Sequence, residues 1–150
     1  MTITPDPLLA AEAPLSEGET LLATFHADPA AYWRNTLILA VVGGFVAGAV
    51  LVVIGNPSPW VGPVAALAAI AARAAYLRSE AMADRWRLTD RRLLGPRGRI
   101  VRLAEIKSAR PFLGDVQIIT LAGDKHLMKF TADAQAVIAA IEAATHRVRR

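Results

Sequence analysis

Residues 36–77 contain two apolar runs joined by a tight turn, and each is long enough to cross a lipid bilayer. Thr36 to Gly55, TLILAVVGGFVAGAVLVVIG, has no charged residue. At about 1.5 Å of rise per residue, a helix of that length spans a hydrocarbon core of roughly 30 Å. Asn56-Pro57-Ser58-Pro59 interrupts the pattern, and a second run extends from Trp60 to Leu77 with one charge, Arg73. A chain of 150 residues has too little other mass to bury two such helices on all sides. The expectation is a transmembrane hairpin over 36–77, with spans at 36–55 and 60–77.

The net charge of +4 conceals an asymmetry that sets the orientation. Residues 1–35 carry five acids (Asp6, Glu12, Glu17, Glu19, Asp28) against Arg34, whereas residues 73–150 carry sixteen bases against eight acids. Arg73, Arg78, Arg85, Arg87, Arg91 and Arg92 lie at or just after the second run. Lys and Arg near helix ends stay in the cytoplasm, so this side is expected to be cytoplasmic. Two spans return the chain to its starting side. A multi-pass protein of the cell (inner) membrane with both termini cytoplasmic follows. The acidic, proline-bearing first thirty residues do not resemble a cleaved signal peptide.

Residues 1–18, with Pro5, Pro7 and Pro14, suit a loose tail. Residues 19–35 suit a short strand followed by a membrane-entry segment. Glu19 to Ala27 supplies the strand, Asp28-Pro29 ends it, and Tyr32-Trp33-Arg34 places rings and a guanidinium at headgroup depth. Within the first span, Gly44 and Gly48 form a GxxxG face that admits close approach of another helix. That helix is either the alanine-rich second span or one from another protein. Arg73 is explained by snorkelling to the cytoplasmic interface.

From residue 79 the period changes. Asp84 to Thr89 alternates, with Trp86 and Leu88 on one face and Arg85 and Arg87 on the other, as a half-buried strand does. Turn residues at Asp90 and Gly95-Pro96-Arg97-Gly98 separate further strands at 92–94 and 99–106. Val116 to Leu121 is β-branched, Ala122 to Lys125 turns the chain, and His126 to Phe130 returns. Thr131 is the expected N-cap of a last helix, with Asp133 in its first turn. Ala134, Val137, Ile138, Ile141, Ala144 and Val148 share one face of that helix. Trp86, Leu88, Ile118, Phe130, Val137 and Ile141 are the expected core.

These segments resemble the bacterial PH-domain (pleckstrin-homology-like) membrane proteins. The likeness lies in Trp86-Arg87-Leu88-Thr89-Asp90-Arg91-Arg92-Leu93-Leu94, in Gly98 with Ile100 to Ile106, and in Leu113-Gly114-Asp115-Val116. Glu19-Thr20-Leu21-Leu22 before a two-helix hairpin resembles the family's layout too. The resemblance implies an α+β membrane protein: a two-helix transmembrane hairpin, then a small antiparallel PH-like sheet or partial barrel over 79–150, capped by the C-terminal helix. Residues 79–150 are few for seven strands and a helix. Either the barrel is incomplete, or Leu21 to His26 joins it as an extra strand. The resemblance brings no catalytic residues with it.

Little in the chain suggests chemistry. The absence of cysteine excludes thiolate catalysis, disulfides and thiolate-ligated metal. His26, His126 and His146 have no metal-ligand spacing, and no nucleophile motif occurs. No catalytic residue, cofactor or metal is expected. The arginines are the remaining feature: Arg85, Arg87, Arg91 and Arg92 could contact lipid headgroups, each basic residue contributing on the order of 1 kcal/mol at an anionic leaflet, or could simply set topology. Without base-stacking aromatics, nucleic acid is not an expected partner. The expectation is a non-enzymatic, membrane-anchored interaction module that binds a protein partner, itself or lipid headgroups. The alternative is an accessory subunit of a larger membrane complex that packs through Gly44 and Gly48.

Overall fold

Hydrophobic length and turn chemistry divide the chain. The computed structural model describes residues 12–150. It resolves into two compact units, one comprising the chain up to Asp28 together with Ala83–Arg150, the other Pro29–Met82.

The second unit is a pair of long helices, α1 (Pro29–Val53) and α2 (Val61–Ala83). Both are long and apolar enough, by length and composition, to cross a membrane. Pro29 occupies the first position of α1, where a missing N–H costs nothing. Gly55, at φ +71°, ends it. The Asn56 N–H reaches the Leu51 carbonyl at 2.9 Å and the Gly55 N–H reaches that of Val52 at 3.0 Å, a Schellman closure that satisfies the last carbonyls. Tyr32 is buried and donates its hydroxyl to the Ala74 carbonyl at 2.7 Å. The Arg78 guanidinium lies 5.9 Å over the Trp33 ring.

The first unit is built from two antiparallel sheets. One has the order β1 (Leu21–His26), β2 (Arg85–Thr89), β3 (Arg92–Leu94), β4 (Ile100–Arg102). The other has the order β5 (Ile106–Phe112), β6 (Asp115–Thr120), β7 (Lys125–Met128). Among the described residues the sheets do not close into a barrel. Helix α3 (Ala134–Val148) packs on β5 and β6. The segment before the helical pair supplies the edge strand of the first sheet, with Phe25 opposite Trp86 and His26 opposite Arg85. The register of this pairing shifts between Leu21 and Ala23, leaving Leu22 without a partner in the ladder. Ala23 and Phe25 pack against the core, while Leu21 and Leu22 stay exposed.

The core joins Trp86, Leu88 and Leu93 of the first sheet to Ile118 of the second and to Val137 and Ile141 of α3. Three local expectations need correction. Phe130 lies outside this core, because β7 ends at Met128, which is buried there instead. Phe130 takes φ +58° and redirects the chain toward α3. Asp133, not Thr131, caps that helix. Its carboxylate accepts the Ala136 N–H at 3.1 Å, and the Thr131 hydroxyl donates to the Met128 carbonyl at 3.2 Å. Residues 99–106 are not one strand. A 3-10 turn at Leu103–Glu105 separates β4 from β5, with Leu103 buried at the corner where the chain changes sheets.

Candidate functional site

Alternation along β2 sends Trp86 and Leu88 inward and Arg85 and Arg87 outward. Across the sheet, Arg92 starts β3 directly opposite Arg102 of β4. Like charges so placed repel. An acidic segment, residues 12–19, lies over this basic face and supplies the compensation.

Glu12 accepts hydrogen bonds from Arg85, through Nε and, at 2.6 Å, through Nη2. The same carboxylate lies 3.7 Å from Arg87 Nε, and Arg87 also donates to the Ala13 carbonyl. Arg92 grips Glu19 side-on, with Nε to Oε1 at 3.0 Å and Nη2 to Oε2 at 2.6 Å. It also reaches the Pro14 carbonyl and Ser16 Oγ, both at 3.2 Å. The Thr89 hydroxyl donates to Glu19 at 2.6 Å and accepts the Arg92 N–H at 2.8 Å. The Arg92 bond holds the Glu19 carboxyl down at about 2, with help from Thr89 and against the opposing effect of burial. The Arg85 hydrogen bond lowers Glu12 in the same way.

Of the four arginines expected at a lipid surface, three are thus engaged within the chain. Arg91 differs. Its backbone is tied to the Thr89 hydroxyl and to the Leu103 N–H. Its side chain is exposed and forms no ion pair among the described residues. Sequence reasoning missed the acidic partners. The opposite charge of the two chain halves was the available signal, but it does not say which acid meets which base. His126, half-buried on β7, is pushed below its ordinary value by burial and by Arg99.

Gly44 and Gly48 both face Pro63 of α2. A Cβ on Gly44 would lie 3.7 Å from Pro63 Cα, and one on Gly48 3.2 Å from Pro63 Cγ. The tightest approach is at Gly62, where a Cβ would come within 2.8 Å of the Ala47 backbone. The small-residue face is therefore occupied within the chain. Comparison with protein-family models, with curated proteins and with solved structures found no match.

Proposed function

We propose that the chain is a non-enzymatic, membrane-anchored interaction module with a PH-like soluble unit. Helices α1 and α2 form the anchor in the cell (inner) membrane. The Asn56–Pro59 turn lies outside, and both termini lie in the cytoplasm. The observation that carries this reading is the order of elements: a four-stranded meander, a three-stranded meander and a C-terminal helix, with the apolar hairpin inserted between the first two strands. That order supports the PH-like layout. The insertion ties the soluble unit to the bilayer at two closely spaced points, the end of β1 and the start of β2. Surplus positive charge after the second helix supports the orientation. The module works at the anionic headgroup layer, with Arg91 as its open basic group and Arg85 and Arg87 held by Glu12.

Cysteine labelling in intact cells tests the anchor and its direction, against a background that has no native cysteine. Ser58→Cys reacts with an impermeant maleimide. Leu121→Cys, exposed on the turn after β6, reacts only after permeabilisation. The opposite pattern, or equal reaction of both, overturns the reading.

A further inference from the structure

The hairpin joining β5 and β6 turns through two residues, Leu113 and Gly114, with φ of +51° and +86°. Turns of this class need positive φ at both positions, so Asn-Gly or Gly-Gly is the usual solution. A leucine here is unfavourable twice. Its Cβ disfavours the left-handed region, and its side chain is 86% exposed. The preceding Phe112 is 46% exposed. Neither side chain contributes to the core of the unit. Local strain and exposed apolar surface, coinciding at one loop tip, are features that folding does not require and that function can use.

The location of the tip indicates the use. Asp115, the first residue after the turn, accepts the Phe130 N–H at 2.9 Å. The Phe130 carbonyl in turn accepts the Asp28 N–H at 2.7 Å. Asp28 is the last residue before the chain leaves for α1. The hairpin tip is therefore tied, through Asp115 and Phe130, to the residue at which the chain leaves the sheets for α1. Exposed Arg110 and Lys129 flank it, one on β5 and one just beyond β7. An apolar tip flanked by cations matches the boundary between anionic headgroups and acyl chains.

We infer that Phe112 and Leu113 form an apolar prong that inserts into the headgroup–acyl boundary of the bilayer carrying the helical anchor. The inference rests on the anchoring reading and adds a third point of attachment.

The test uses the full chain reconstituted in vesicles of phosphatidylethanolamine and phosphatidylglycerol, labelled with an environment-sensitive fluorophore at a single cysteine. Three variants are compared: Leu113→Cys on the prong, Leu121→Cys on the turn after β6, and Phe45→Cys on the exposed face of α1. The expected result is blue-shifted emission and loss of signal with acyl-chain nitroxide lipid at positions 113 and 45, and loss of signal with iodide at 121. Quenching by iodide at 113, with 45 still quenched by lipid, overturns the prong and leaves the anchor standing. Shielding of 113 from both quenchers overturns it in favour of a protein contact. Quenching of 45 by iodide overturns the anchor and the prong together.

Discussion

Arg92 binds Glu19 side-on across 73 residues of sequence, with the Glu19 side chain fully removed from solvent. This pair fastens the segment before the helical hairpin to a strand that follows it. Replacing Glu19 with Gln leaves Arg92 without its counter-charge and Arg102 opposite an unneutralised neighbour. The change is expected to destabilise the soluble unit by about 1.5–3 kcal/mol, read as a lower melting temperature in detergent.

The same pair makes stability depend on pH. The Glu19 carboxyl is held at about 2 in the folded chain, against 4.5 for an unperturbed group. A carboxyl depressed on folding stabilises the fold above its unfolded value, and that contribution is lost as pH falls through the interval down to the folded value. Melting temperature is therefore expected to fall between pH 4.5 and about 2, and Glu19→Gln is expected to flatten that part of the curve. Equal slopes in both proteins would refute this.

Trp86 and Gly95 form a second close pair. A Cβ at Gly95 would stand 2.8 Å from the indole Cζ3, although φ of −100° suits any residue there. Gly95→Ala should therefore cost about 1–3 kcal/mol by forcing the ring aside. Trp86→Ala, at a site 4% exposed, should cost about 3–5 kcal/mol. Adding Gly95→Ala to Trp86→Ala should cost little further, because the obstacle has gone. Additive losses in such a double-mutant cycle would show that the contact is not the cause.

The helical pair makes a graded prediction. Alanine at Gly62 meets the Ala47 backbone at 2.8 Å, at Gly48 the Pro63 ring at 3.2 Å, and at Gly44 only an ordinary contact at 3.7 Å. Gly62→Ala should lower thermal stability in detergent most, and Gly48→Ala less. Gly44→Ala should be neutral or stabilising by up to about 1 kcal/mol, since glycine inside a helix is itself unfavourable. A different ranking would place another helix at this face.

Leu113→Asn should raise stability by about 1 kcal/mol, since asparagine tolerates the positive φ that leucine resists. Thermal unfolding in detergent, where no bilayer holds the prong, checks this. A loss of stability would mean that the leucine packs within the fold.

Two long apolar helices, antiparallel strands and an amphipathic C-terminal helix were all legible in the sequence. Their signals are local: hydrophobic length over Thr36 to Gly55, alternation at Trp86 and Leu88, and a helical period from Ala134 to Val148. Only the tertiary structure decided that Glu12 and Glu19 cover Arg85, Arg87 and Arg92. A long-range ion pair leaves no periodicity at either end, and several acids and bases satisfied the same charge asymmetry. It also decided that Met128 rather than Phe130 completes the core, and that Leu103 turns a corner between two sheets. In both cases the sequence was apolar enough to continue a strand, and the twist and packing of the neighbouring elements ended it.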